Sequence, residues 1–231
     1  MTTQRIQFAK WFGSVLSILS KDLCSELRTR YALNALGMFV VTTISIIVFA
    51  FGEESTSQDV LSGVLWIVIF FATMSGMSRT FVSEEERGTA LTLQLLSWPS
   101  AVYCGKLLFN IILLTATNLL TVLLYLIVIS NFTVRSIDIF ATTMVLGTLG
   151  FASASTIIAA IIAKANTKGT LYPVLSFPIL LPLLITVIKA TRLAVDGAVF
   201  SEAFEEFQIL TSYFVVITTA SYLVFDFIWK D

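Results

Sequence analysis

The chemistry-bearing residues of this chain gather in one short segment, Arg79-Thr80-Phe81-Val82-Ser83-Glu84-Glu85-Glu86-Arg87-Gly88-Thr89, followed by Leu91, Leu93, Leu95, Leu96, Trp98 and Pro99. Ser83 three residues before Glu86 has the spacing of a capping box, and acids in a first turn suit the helix dipole. The spacing predicts a short polar helix tied rigidly to the apolar stretches on either side; a solvated charged loop is the plainer alternative. Elsewhere the inventory is thin. There is no histidine, so imidazole is missing both as a general base and as a metal ligand. Gly105-Lys106 lacks the rest of the G-x-x-x-x-G-K-[ST] pattern, which excludes ATP binding by that route. No catalytic residue and no metal ligand set is assigned, and any work this protein performs needs energy from a partner.

The elements that hold this segment follow from composition. The 231 residues are 57% hydrophobic and 13% charged, against about 25% charged in ordinary soluble domains. A soluble domain could not hide that much apolar surface, so lipid is the solvent for much of the chain. A net charge of −1 without a basic cluster argues against nucleic acid, and two cysteines, Cys24 and Cys104, are too few for a disulfide framework. A spanning helix needs about 20 apolar residues. Six stretches qualify: Leu33 to Phe51, Val60 to Ser78, Leu107 to Ile129, Ile139 to Ala163, Thr170 to Ile188 and Phe207 to Phe225. None contains Asp, Glu, Lys or Arg, which speaks against an ion-coupled carrier, an intramembrane protease or a metalloenzyme.

Orientation comes from the basic residues between spans. Arg5, Lys10, Lys21, Arg28, Arg30, Arg79, Arg87, Lys106, Lys164, Lys168 and Lys230 fall on one side; Arg135, Lys189 and Arg192 fall on the other. The richer side is expected to be cytoplasmic and to hold both termini. Residues 1–31 repeat Phe8, Trp11, Phe12, Val15, Leu16, Leu19, Leu23 and Leu27 at helical spacing, the pattern of an amphipathic helix lying along the lipid surface.

Polar content inside the spans is small. Gly147, Gly150, Ala152, Ser153, Ala154 and Ser155 crowd the fourth span, as close helix packing requires. Asn118 in the third span is read as packing, with a pore-lining role as the alternative. Pro173, Pro178 and Pro182 predict a kinked or broken fifth span, and Pro178 and Pro182 mark either a packing irregularity or a moving gate. The stretch from Lys189 to Gln208 is expected to be an outer loop, with Ser201 before Glu202 and Glu205 starting a short helix.

Glu84-Glu85-Glu86, Gly88-Thr89, the leucine run from Leu91 to Leu96, Pro99 and Gly105-Lys106, in this order, resemble the membrane subunits of ABC-2-type exporters. More closely, they are similar to the cytochrome c maturation protein B family, the membrane subunits of a haem exporter. Gly147-Thr148-Leu149-Gly150-Phe151, Lys168-Gly169, Phe177-Pro178-Ile179 and Pro182-Leu183-Leu184 extend the resemblance over nearly the whole chain. Ala90, Gln94, Trp98 and the stretch Ala152 to Ser155 depart from the family's pattern.

The resemblance implies an all-α membrane protein of the ABC-2-type exporter fold in a bacterial inner membrane, the mitochondrial inner membrane being the family's other setting. It implies a homodimer, a separate ATP-binding ABC subunit, a haem-handling membrane protein and a small single-span protein as partners, with haem as cargo and ATP bound by the partner. The elbow at 83–99 is then the coupling segment, with Arg79, Glu84, Glu85, Glu86, Arg87, Gly88 and Leu91 as its coupling residues. The outer segment near 189–206 would hold short re-entrant helices, an ordinary surface loop being the alternative. Without histidine the chain assigns no haem ligand, and Met74 and Met77 are read as packing. Two further readings stay open: an exporter of lipid or polysaccharide, and a non-transporting scaffold through which the ATPase drives release of a haem-loaded chaperone.

Overall fold

The computed structural model describes residues 2–51, 56–77, 80–86, 88–164 and 171–230, which form helices and no strand. Helix α1 (Thr2–Thr29) leads through the single residue Arg30 into α2 (Tyr31–Phe51). Arg30 takes φ 52°, the left-handed conformation that ends a helix abruptly. The turn is held by Glu26, whose carbonyl accepts from the Arg30 N–H at 2.6 Å and whose carboxylate accepts from the Leu33 N–H at 2.9 Å. Then come α3 (Gln58–Met77), the short pair α4 (Val82–Glu86) and α5 (Ala90–Leu96), and the long helices α6 (Pro99–Val128), α7 (Ile137–Lys164) and α8 (Leu171–Asp196). A 3-10 turn, Phe200–Ala203, runs straight into α9 (Phe204–Lys230). Among the described residues, six helices are long and apolar enough to cross a membrane.

Helix α7 sits in the middle and touches α3, α6, α8 and α9. Its small residues make this closeness possible. The Trp66 ring of α3 lies over Phe151 at 6.0 Å and 9°, and its indole N–H donates to Thr191 Oγ1 of α8 at 2.7 Å. A Cβ on Gly147 would fall 2.6 Å from that ring and 3.1 Å from Val187. A Cβ on Gly150 would meet only the end of Leu183, at 2.6 Å. Hence Gly147→Ala should lower thermal stability in detergent by about 1–3 kcal/mol, the usual range for overpacking, because a stacked and hydrogen-bonded indole cannot yield. Gly150→Ala should cost clearly less, since Leu183 can change rotamer. Equal losses would show that Trp66 is not the rigid element.

Asparagines tie α6 to α7. Asn110 donates to Thr156 Oγ1 at 2.8 Å, and Asn118 donates to Thr148 Oγ1 at 2.9 Å. Eight residues forward on one helix match eight back on the other, as an antiparallel pair demands. Asn118 is thereby engaged with α7, in accord with the packing reading.

The fifth span is not broken, and the outer loop is shorter than expected. Helix α8 continues through Pro178 and Pro182 without interruption. The Ile179 carbonyl, between the two prolines, also accepts from the Tyr213 hydroxyl of α9 at 2.9 Å, which ties the two helices together there. The outer stretch is mostly helical too. Only 197–199 lie outside helix between α8 and the 3-10 turn, and Gly197 at φ 82° makes the bend.

Candidate functional site

The elbow begins at Phe81, whose carbonyl accepts from the N–H groups of Glu84 and Glu85 at 3.0 and 3.3 Å. Helix α4 therefore starts at Val82, which places Ser83 inside the helix rather than at the expected cap. Gly88 at φ 68° turns the chain out of α4, and the Thr89 N–H donates back to the Glu84 carbonyl at 3.0 Å. Pro99 then opens α6 after the extended Trp98, where its missing N–H leaves nothing unsatisfied. The elbow is anchored by aromatic rings: Phe81 lies 5.7 Å from Phe225 and 5.9 Å from Trp229, and Tyr103 lies 5.4 Å from Phe225. Gln94 donates to the Trp229 carbonyl at 2.5 Å.

This framework turns Glu84 inward, where only 7% of the residue is exposed. Its Oε1 accepts from Lys21 of α1 at 2.5 Å and from Lys106 of α6 at 2.9 Å, and its Oε2 accepts from Thr89 at 2.5 Å. Lys106 is 2% exposed. Besides Glu84 it donates to the Thr80 carbonyl at 3.2 Å and makes an ion pair with Asp22 Oδ2 at 2.9 Å, without hydrogen-bond alignment. It also lies 5.7 Å from the centre of the Phe81 ring. Lys21 approaches Asp22 at 3.3 Å. Two ammonium groups thus balance two carboxylates, and balance is what makes such burial tolerable.

Burial alone would raise the Glu84 pKa. The Lys106 charge and the hydrogen bonds from Lys21, Thr89 and Lys106 overcome it and hold the carboxyl at about 2, against an ordinary 4.5. Burial likewise pulls Lys21 downward, but its hydrogen bond to Glu84 and the neighbouring acid charges leave it raised. A depressed carboxyl contributes stability that is fully present above its unfolded value and lost as pH falls through the folded value. Stability should therefore decline on acidification from about 4.5 toward 2, and a Glu84→Gln variant should lack that part of the decline in pH-dependent thermal unfolding.

Polar contacts continue from the elbow into the bundle. Thr80 donates to Asn110 Oδ1 at 3.3 Å, and Asn110 donates to Thr156 of α7. A cleft of about 760 Å³ opens between α1, the start of α2, the end of α3, the elbow and α6, with Lys21, Asp22, Glu84, Glu86, Thr89 and Lys106 among its walls.

The remaining expected residues scatter around this network. Glu85 is half-buried and 3.7 Å from Lys164. Glu86 is exposed at the cleft, and Gly88 makes the bend. Leu91 points outward at 71% exposure, beside Leu95 at 87% and Leu96 at 77%. Arg79 and Arg87 lie outside the described residues. Pro178 and Pro182 are exposed on α8 and do not line the cleft. Met74 and Met77 are buried in the core. Sequence reasoning misses the roles of Asp22, Lys21 and Lys106 in this network. The available signal was an unpaired lysine at the mouth of an apolar helix and an aspartate on an otherwise apolar helix face.

No group of three or more metal-ligating His, Cys, Asp or Glu residues occurs among the described residues. One carboxylate of the elbow is clamped by charge between lysines of two helices.

No curated protein matches the chain. A family model described as CcmB protein matches residues 13–227. With that match spanning α1 through α9, the chain belongs to the CcmB family of membrane subunits of the haem-export system of cytochrome c maturation.

Proposed function

We propose that this chain is the membrane half of an ABC-type haem exporter, driven by a separate ATP-hydrolysing subunit that docks on the elbow. The observation that carries this reading is the division of the elbow into two faces. Leu91, Leu95 and Leu96 are exposed, while Glu84 is buried between Lys21 and Lys106. The outward leucines offer apolar area to a partner. The inward carboxylate passes any displacement of α4 and α5 to α1 and α6, because separating it from either lysine strands a buried charge. Lys10, Lys21, Arg28, Lys106, Lys164 and Lys230 lie toward the elbow end, and Arg135, Lys189 and Arg192 toward the other, which supports a cytoplasmic elbow. The remaining parts of this reading are an ABC-2-type fold with both termini cytoplasmic, a second copy of the chain, a bacterial inner membrane, and a haem-handling protein and a small single-span protein as further partners.

Leu91→Asp with Leu95→Asp should abolish co-purification of the ATPase while leaving the membrane protein folded, as judged by an unchanged elution profile in detergent. Retained ATPase would refute docking at this face.

The scaffold reading has one observation in its favour. The chain has no histidine, the common haem ligand, and both Met74 and Met77 are buried in its core, which favours ligation of the haem iron by the haem-handling partner. ATP would then drive release of haem-loaded chaperone without haem crossing this subunit, and labelled haem flux into vesicles holding only this chain and the ATPase separates the two readings.

A further inference from the structure

The cleft beside the elbow has a gradient of polarity that the charge network does not account for. Its volume of about 760 Å³ is that of a ligand site. Lys106, Phe109 and Leu113 all line it, and steps of three and four residues put them on one face of α6. The wall therefore passes from an ammonium group to hydrocarbon over about 10 Å. The cleft lies where α2 begins, α3 ends and α6 begins, the level at which a span leaves hydrocarbon for water. Ala35 of α2 and Leu93 of α5 add further apolar wall. A water-soluble ligand has no use for such a wall, whereas an amphiphile does.

The polar end is matched to a cation. Among the described residues it carries four carboxylates, Asp22, Glu26, Glu84 and Glu86, against two ammonium groups, Lys21 and Lys106. Both lysines are engaged with Asp22 and Glu84. Glu26 accepts from the Leu33 N–H and makes no ion pair among the described residues. Asp22 is 8% exposed, yet its Oδ2 receives no hydrogen bond there; Lys106 supplies charge at 2.9 Å without alignment. A buried carboxylate oxygen ordinarily accepts a bond, and a primary ammonium entering the cleft would supply it. Asp22 and Glu26, four residues apart on α1, share one face. The excess of carboxylate disfavours an anionic amphiphile. We propose that the cleft binds a phosphatidylethanolamine-type lipid from the leaflet at the elbow end. Its ammonium sits between Asp22 and Glu26, its phosphate beside the half-exposed Lys21, and one acyl chain along Phe109 and Leu113. This proposal rests neither on haem transport nor on how an ATPase docks.

Native mass spectrometry of the full chain in detergent, titrated with dioleoyl phosphatidylethanolamine, phosphatidylcholine or phosphatidylglycerol, tests it. The ethanolamine lipid should bind its first site about tenfold more tightly than the choline lipid, whose nitrogen has no N–H to donate, the usual worth of one charge-assisted hydrogen bond. The anionic glycerol lipid should bind more weakly than the ethanolamine lipid too. Glu26→Gln removes the charge but can still accept from the Leu33 N–H, and should weaken the ethanolamine lipid about tenfold. Ala35→Phe, at an exposed position of α2, should weaken it by filling the apolar end without touching a charge. Both variants should elute in detergent like the parent. Equal affinity for the three lipids, or unchanged affinity in either variant, would overturn the proposal. So would water-soluble glycerophosphoethanolamine binding as tightly as the lipid.

Discussion

Lys106→Met should destabilise the purified chain by about 3–5 kcal/mol, the cost of removing one partner from a buried charge network. Lys106 is the only residue that touches both Asp22 and Glu84 from α6, at 2.9 Å each. Without it, among the described residues, two buried carboxylates share the half-exposed Lys21. Methionine fits the space but offers no charge. Adding Asp22→Asn should recover part of the loss, because one carboxylate then faces one ammonium. The measurement is thermal unfolding in detergent for the two single variants and the double variant. If Lys106→Met is as stable as the parent, the network is not what holds the elbow.

The second large effect is expected at Gly105, where α6 packs tightly against α1. A Cβ there would fall 2.9 Å from both Cβ and Cγ2 of Ile18 and 3.1 Å from the backbone oxygen of Val15. Unlike the end of Leu183 near Gly150, Ile18 Cβ and the Val15 oxygen cannot rotate away. Gly105→Ala gains up to about 1 kcal/mol of helix propensity, which offsets part of the strain. Gly105→Val has no such escape and should push α1 off α6, breaking the Trp11 bond to Ser100 Oγ at 3.0 Å and drawing Asp22 away from Lys106. Limited proteolysis should then cut within residues 2–29 while the spans stay intact. Equal protection of α1 in Gly105→Val and the parent would show that this contact is dispensable.

The six apolar helices were legible because hydrocarbon demands long runs without charge, and no later packing can change that. Helix ends were harder to read. A hydropathy window stops at Lys189, yet α8 runs on to Asp196, with Arg192 3.3 Å from Asp59 of α3. A charge ends the apolar segment without ending the helix.

The elbow was visible as a cluster of acids, but their division of labour was not. Glu84, Glu85 and Glu86 are equivalent in the sequence; the turn at Gly88, the anchoring of Phe81 and the lysines of α1 and α6 distinguish them in the fold. Lys21 reads as a solvent-face residue of an amphipathic helix, and its partner lies 63 positions away. Such pairings are set by how α1 crosses α6, through Gly105, and local spacing does not encode that.

If the elbow transmits a motor's work to the membrane helices, Glu84 is the residue through which it passes. The direct measurement is haem-stimulated ATP hydrolysis in proteoliposomes containing this chain, its ATPase and its haem-handling partner, comparing the parent with Glu84→Gln. Gln keeps the shape and can still accept from Thr89, but the charge that holds Lys21 and Lys106 is gone. The ATPase should remain bound, with stimulation by haem about tenfold weaker, a loss within the range of ordinary coupling energies. Full stimulation in Glu84→Gln, with the ATPase bound as in the parent, would contradict transmission through this carboxylate.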